Sequence, residues 1–545
     1  MRRLSWQFMA GSSIIGCALP KLLHRHWSTA QLAELFFAQL FMWAVWSTLI
    51  YPHFVSPLRH LPQPKGGHWL AGHGLESWRQ GPGVLAKKWY LITEVDNKGL
   101  IRMLWHFNRE FVLVTSPHAL SDVLVTKSYI FEKPDFIRNF LAFALGWSVL
   151  TVEGDEHKKQ RRNLMPAFSF RHIKDLYPVF WDKAREVTRA MTSACDEHGF
   201  AEMEISSWAS RCTLDIIGVA GIGKDFGAIR DEHNPLVKSY EGFNPSEDDS
   251  LLVGLRVFLP ELVVANLPLK RIKMVAESSQ HIRSVCADLI REKRRKLANK
   301  EPAGVDILTV ALTSGMFSEE SLVDQMITFL SAGHDTTASA LTWAVYMLSR
   351  FPRIQDRLRD EVRENLPSIN VDAQITSTDI DRMPYLNAVC SEVLRTCGPV
   401  AQTMRVATCD TSIQDEYIPR GTVIILAPWA TNVDPKLWGP DAREFKPERW
   451  LTPEQGGTSS SKNAASGGAT SNYAFMTFLH GPRSCIGASF AKAEFACLLA
   501  AWVGRFSFEL KDKTLMDERN MRVAPSVTAK PVGGLHVLVR VVEGF

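Results

Sequence analysis

Phe478-Leu479-His480-Gly481-Pro482-Arg483-Ser484-Cys485-Ile486-Gly487 sets one cysteine between two glycines, behind an aromatic residue and an arginine, just ahead of an apolar stretch that starts near Ala488. These are the parts a haem-thiolate loop requires. A thiolate can hold haem iron and push electron density outward, which favours cleavage of an O–O bond. Arg483 can pair with a propionate, Gly481 and Gly487 let the backbone turn tightly beside the sulfur, and Phe478 walls it from water. A helix starting near Ala488 aims its positive end at Cys485 and favours the ionised thiol. A lone Cys-x-Gly before a helix is ordinarily a buried structural cysteine; here five positions agree within one short window.

The pattern resembles the haem-binding loop of the cytochrome P-450 family, the haem-thiolate monooxygenases, in the microsomal eukaryotic form of fungal biosynthetic members. The resemblance runs from a Pro-rich hinge to the end of the chain. It implies a mainly α fold with small β-sheets, one large helical domain behind an N-terminal membrane anchor, and haem b with its iron ligated by Cys485.

Composition agrees with a large globular chain. Of 545 residues, 46% are hydrophobic and 22% charged. A net charge of +4 and the lack of a basic-aromatic module argue against nucleic acid as a partner. The nine cysteines are odd in number, scattered and never spaced Cys-x-x-Cys, so neither a zinc site nor a disulfide framework is suggested, and a reducing, cytosol-facing setting follows.

Leu32 to Ile50 is nearly continuous apolar sequence, broken by Glu34 and Gln39, with Trp27, Trp43, Trp46 and Tyr51 where interfacial aromatics would sit. It reads as a membrane helix. A shorter apolar run, Phe8 to Leu19, follows Met1-Arg2-Arg3 and fits a signal-like segment, a re-entrant piece or a second helix. Leu61-Pro62-Gln63-Pro64-Lys65-Gly66-Gly67 is a stiff linker like the hinge of microsomal family members. The expected organisation is an anchor over 1–51, a hinge over 52–67 and a catalytic domain over 68–545. Within that domain, 452–472 is a flexible Ser/Gly-rich insertion. The implied location is the endoplasmic reticulum membrane, with the catalytic domain facing the cytosol.

Ser318, Glu319 and Glu320 mark a helix start, and the apolar rhythm runs on to Phe351-Pro352. Mid-helix lies Ala332-Gly333-His334-Asp335-Thr336-Thr337. Small residues there let a flat ring approach, and a threonine hydroxyl backed by an acid can relay protons, which makes Thr336 and Asp335 the catalytic pair. Gly and Thr also serve in helices as packing or kink residues; the cysteine loop downstream, in the family's order, decides between the readings. His334 is expected as a wall residue and not an iron ligand.

Pro384 opens a helix whose Glu392 and Arg395 share one face. With Arg449 they resemble the family's buried Glu-Arg-Arg lock. Arg405 falls where the family places a propionate partner. Gly154 to Arg162 resembles the helix that gives the propionates a tryptophan and, four residues on, a basic group; here His157 stands at the tryptophan position and Arg161 at the basic one. Lys158, Lys159 and Arg162 form a basic surface for an acidic electron-delivery protein. Motif position assigns the substrate pocket to Phe140, Phe143, Phe329, Ala332, Gly333, Val400 and Ala401, all apolar or small, hence a lipophilic substrate. Leu251 to Leu269 is apolar enough either to dip into the bilayer or to pack.

The implied activity is insertion of oxygen from O2 into a lipophilic small molecule, a terpenoid or polyketide-like secondary metabolite. No Gly-x-Gly-x-x-Gly site or flavin segment is present, so electrons from NADPH would come through a separate flavoprotein P-450 reductase, with cytochrome b5 as a further donor. Two other readings are an O2-independent haem-thiolate isomerase or dehydratase, which usually lacks the acid-alcohol pair, and a non-enzymatic haem- or lipid-binding membrane protein.

Overall fold

The computed structural model describes residues 28–74, 76, 83–92, 98–243, 252, 255–256, 259, 261–301, 306–458, 461–524 and 527–545. The Phe8–Leu19 run, Trp27, Leu251 and part of the stretch after it, and Ser459 and Ser460 of the Ser/Gly-rich segment lie outside these residues.

The helices that matter here are α1 (Thr29–Val45), α2 (Asp135–Leu145), α3 (Gly154–Leu164), α4 (Tyr177–Ser193), α5 (Ile205–Ile217), α6 (Lys270–Ala298), α7 (Glu319–Arg350), α8 (Pro384–Thr396) and α9 (Ala488–Arg505). The strands are β1 (Leu100–Leu104), β2 (Glu110–Val114), β3 (Phe131–Glu132), β4 (Phe200–Glu204), β5 (Thr403–Ala407), β6 (Thr411–Ile413), β7 (Glu416–Ile418), β8 (Val423–Leu426), β9 (Phe506–Leu510) and β10 (His536–Val541). The chain is mainly helical and divides into two compact units.

The first unit gathers 1–79, 85–132 and 404–426. Its sheet runs β1-β2-β8-β5-β3; β1 pairs antiparallel with β2 and β3 with β5, while β2 and β8 pair parallel with Phe111 opposite Val423. β2 and β8 are buried along their whole length, as the apolar runs Phe111–Val114 and Val423–Leu426 require. A capping box between Ser28 and Gln31 starts α1. The helix does not stop at Ile50; it continues as a π-helical turn over Trp46–Val55 with Pro52 inside. The wider turn tolerates a residue that has no N–H to donate. The apolar part spans Ala33–Val55, 23 residues with only 6% of its window buried. By length and composition it can cross a membrane, and Phe37, Phe41 and Phe54 are exposed along it.

The second unit holds 80–84, 133–403 and 427–545. A three-stranded antiparallel sheet, β4-β10-β9, lies in it. Its core is built where α4, α5, α7 and α9 pack, with Phe180, Trp181, Leu341 and Trp502 fully buried. Ser318 caps α7 by accepting from the Ser321 N–H, and Glu319 and Glu320 sit at its positive end. At 32 residues α7 is about 48 Å long. Leu322–Leu330 and Thr337–Ser349 are buried on every face, but between them Ala332, Asp335 and Thr336 are accessible. The Ser/Gly-rich segment carries short helical turns at Pro453–Gln455 and Ser461–Ala464, buries Ala464, and gives the Trp450 indole the bare surface of Gly467 to rest on.

Candidate functional site

Two residues of positive φ shape the cysteine loop, Leu479 at 55° and Gly481 at 75°. Two such residues so close reverse the chain within a few positions, and the Cys485 N–H closes the turn on the Phe478 carbonyl at 2.9 Å. Gly481 therefore answers a backbone requirement. Gly487 is the N-cap of α9, with the Ala491 N–H bonded to its carbonyl at 2.8 Å, and its φ of −91° asks for no special residue. The Cys485 side chain is accessible although protein crowds round it, the condition of a group that lines a cavity. Burial pushes its thiol up, while the Gly487 N–H and the charge of Arg161 pull it down.

Arg161 is the brace of this loop. Four residues beyond His157 on α3, it donates from Nη1 to the Ser484 carbonyl at 2.7 Å, next to the cysteine. His157, on the same helix face, is buried. Arg483 is buried and forms an ion pair with Glu153, the residue immediately before α3. The Lys133 N–H also donates to Glu153, at 3.0 Å. Glu153 escaped the sequence reading because its partner lies 330 positions away.

The Glu392–Arg395 pair forms as the spacing on α8 predicts, and Arg449 joins it as the family resemblance implies. Arg395 grips both oxygens of Glu392 at 2.7 and 2.8 Å, and Arg449 Nε reaches Glu392 Oε1 at 3.1 Å. Glu392 also accepts from the Lys446 N–H at 2.8 Å and the Trp450 indole at 2.9 Å, so a fully buried carboxylate has five donors. The other edge of Arg395 donates to the carbonyls of Asn432, Ala442 and Glu444. Asn432 then carries the network to the loop: its amide donates to the Arg395 carbonyl and to Thr477 Oγ1, and its oxygen accepts from the Met476 N–H at 2.7 Å. Met476 and Thr477 lead directly into Phe478.

On α7 the Thr336 hydroxyl donates to the Ala332 carbonyl one turn back, at 2.8 Å. Asp335 forms an ion pair with Lys530 and accepts from Thr528 Oγ1 at 2.5 Å. Burial pushes its carboxyl up, but Lys530 foremost brings it below the ordinary carboxylate value. His334 is buried edge-to-face on Tyr240 at 4.7 Å with Nδ1 on the Leu330 carbonyl. Gly333 has a different use from the one its smallness suggests. A Cβ there would come within 3.0 Å of Ile217, so the space it frees is taken by α5, whose Thr213 also donates to the His334 carbonyl.

Phe329 is buried on α7 and packs edge-to-face on Phe168 at 5.4 Å, and the same Phe168 lies 3.8 Å from where a Cβ on Gly487 would be. One aromatic thus ties α7 to the cysteine loop. Ala401 is buried against Trp429 and Ala529, and Val400 beside it is half-buried. Phe140 and Phe143 of α2 are half-buried with the Arg256 guanidinium over both rings, at 5.3 and 5.6 Å. Arg405 belongs to β5 in the first unit, where its Nη1 donates to the Met404 carbonyl and burial brings its guanidinium down to about 10.

An enclosed yet accessible thiol, with Arg161 on its loop and Arg483 two residues before it, fits haem b held by a thiolate. Among the described residues no cluster of His, Cys, Asp and Glu offers a competing metal site, and all eight described cysteines are free. Comparison with known proteins points the same way. The family model described as Cytochrome P-450 matches residues 62–534. The chain is 44% identical to cytochrome P-450 monooxygenase FUM15 of Gibberella moniliformis, over 91% of this chain and 90% of that protein. It is 43% identical to cytochrome P-450 monooxygenase sphH of Aspergillus fumigatus, covering 92% and 91% of the two. With cytochrome P-450 monooxygenase ALT8 of Alternaria alternata the identity is 44%, and the coverage 92% and 93%.

Proposed function

The chain belongs to the cytochrome P-450 family and is a haem-thiolate monooxygenase; from that premise we propose that Cys485 is its iron ligand and that its substrate is a lipophilic secondary metabolite of terpenoid or polyketide type. Bound haem b supplies the oxidising chemistry, by which RH, O2, NADPH and a proton become ROH, water and NADP+. A redox partner must deliver the two electrons, and we assign that part to a membrane flavoprotein reductase, with cytochrome b5 as an alternative second donor.

The residues divide the remaining work. Arg161, His157 and Arg483 would neutralise the propionates, Phe478 would keep water from the sulfur, and Gly481 turns the loop that Gly487 joins to α9. Glu392, Arg395 and Arg449 hold the chain behind that loop. Asp335 would take up a proton and Thr336 would pass it on through its hydroxyl, a relay that a dehydratase has no need of. Phe140, Phe143, Phe329, Ala332, Val400 and Ala401 would offer an apolar surface, which selects an uncharged substrate, whereas Gly333 makes room for Ile217 of α5. The segment up to Val55 would anchor the chain in the endoplasmic reticulum membrane, four residues beyond the expected boundary at 51; the Pro/Gly-rich stretch to 67 would act as the hinge, and 68–545 would form the catalytic domain on the cytosolic side, with 452–472 as an insertion.

The observation that supports this most is the Cys485 side chain, accessible inside a crowded interior. The test is the carbon monoxide difference spectrum of the reduced protein, followed by product analysis with a reductase present. Cys485→Ser abolishes the red-shifted band; an unchanged band in that variant refutes the ligand assignment.

A further inference from the structure

Asp335, Ser339 and Trp343 stand four residues apart on one face of α7, and all three bond the same tripeptide, Thr528-Ala529-Lys530. The middle residue is clamped by its backbone. Its carbonyl accepts from Ser339 Oγ at 2.7 Å and from Trp343 Nε1 at 2.8 Å, and its N–H donates to the Pro399 carbonyl at 2.7 Å. Its methyl packs on Ala401 and Trp429. With Ala529 fixed, the side chains on either side are delivered to the two oxygens of one carboxylate: Thr528, itself buried, to Oδ2 and Lys530 to Oδ1. Each oxygen has its own donor, so the carboxylate is fixed in rotation as well as in place.

We infer that Lys530 and Thr528 are positioning residues for Asp335, the clamp fixing its carboxylate on α7 and the Lys530 contact governing when that carboxylate can carry a proton. This rests on the reading of Asp335 and Thr336 as the proton relay. The charged and titratable groups facing Asp335 are Lys530 from the clamped segment and His334 from α7 itself. His334 is buried and its own affinity for a proton is lowered by that burial, which leaves Lys530 as the standing positive charge. While the pair is closed, a proton on Asp335 would have to displace an ammonium group. Once it opens, burial favours the neutral acid and a proton from water can be taken up and handed to Thr336.

The experiment uses full-length holoenzyme and reads Asp335 directly, by the infrared carbonyl stretch of a protonated carboxylic acid, assigned through its loss in Asp335→Asn. Lys530→Met raises the proton affinity of Asp335 by about ten- to a thousandfold, the range an adjacent opposite charge commands, so the band is present at a pH where the parent protein lacks it. Lys530→Arg restores the parent titration. Thr528→Val moves the titration in the same direction by less, and serves as the test if Lys530→Met fails to retain haem. In parallel, product formed per NADPH acquires a pH dependence in Lys530→Met that Lys530→Arg does not show. A titration midpoint unchanged in Lys530→Met, or in Thr528→Val where that variant stands in, overturns the inference. Full product yield per NADPH in Asp335→Asn removes the relay reading instead, and the infrared midpoint still decides what Lys530 does.

Discussion

Arg395→Met is the sharpest test of the support behind the cysteine loop. The substitution keeps the bulk of the side chain and deletes five hydrogen bonds, two to Glu392 and three to the carbonyls of Asn432, Ala442 and Glu444. Glu392, fully buried, retains Arg449, the Lys446 N–H and the Trp450 indole. Breaking a buried ion pair by removing one partner costs about 3–5 kcal/mol, and each stranded carbonyl adds about 1–3 kcal/mol where no water can replace the donor. These terms share one site and do not add fully, so the expected loss is about 5 kcal/mol. That is comparable with the whole margin of a folded domain, about 5–15 kcal/mol. The loss falls on Asn432, whose amide holds Met476 and Thr477 just ahead of the loop. The assay compares the amplitude of the reduced carbon monoxide spectrum with total protein by immunoblot, beside the parent chain. The expected result is protein that accumulates poorly and holds little haem. Parent-level haem per chain together with an unaltered denaturant midpoint would show that this network carries no such load.

Two further outcomes follow from single side chains. Thr336→Ala removes the hydroxyl that now rests on the Ala332 carbonyl; haem and its spectrum persist while NADPH consumption is diverted to peroxide, and full coupling in that variant excludes Thr336 from proton transfer. Glu494, on α9, is fully buried with Thr337 as its neighbour, and burial pushes its carboxyl well above the ordinary value. Unfolded, it ionises above its ordinary value of 4.5 while the folded chain keeps it protonated, so its contribution to stability falls as pH rises, by about 1.4 kcal/mol per pH unit up to the folded value. Glu494→Gln removes that slope, and urea midpoints of the two proteins therefore diverge with rising pH; parallel curves would mean that Glu494 is ionised in the fold.

What the sequence discloses is what is encoded locally. The cap at Ser318, the stop at Phe351-Pro352, the start at Pro384 and the turn before Ala488 all stand in the structure at the expected positions, because a helix end is set by a few adjacent residues. Glu392 and Arg395 were readable as a pair since three residues on a helix is a contact distance. Asn432, Glu153, Thr528 and Lys530 were not, for their partners are brought close only by the fold, and an asparagine or lysine in a loop carries no local mark of it. Gly333 shows the other limit. Local sequence says that a side chain is missing, and a ligand face and a helix-packing face ask for the same residue; only the position of Ile217 tells them apart. Pro52 misleads in the opposite sense, because a π turn absorbs a residue that ordinarily ends a helix.

The two sides of the site are held by different means, and the chemistry explains why. Behind the cysteine loop every oxygen of Glu392 and every edge of Arg395 is engaged, in a place from which water is excluded. Such a network has no low-cost alternative arrangement, since moving any member strands a buried charge. Cys485, as the proposed iron ligand, benefits from such support, because its task is to stay. On α7 the Asp335 carboxylate depends on one ammonium and one hydroxyl, and its side chain remains 29% accessible. Water can replace either donor there, so opening costs far less than it would at Glu392. In the proposed relay Asp335 gains and loses a proton in each cycle, which needs that looseness, and the Ser339 and Trp343 clamp on Ala529 returns its partners to the same place afterwards. Rigid support at Cys485 and reversible support at Asp335 are thus both consequences of how many buried donors each carboxylate in the network was given.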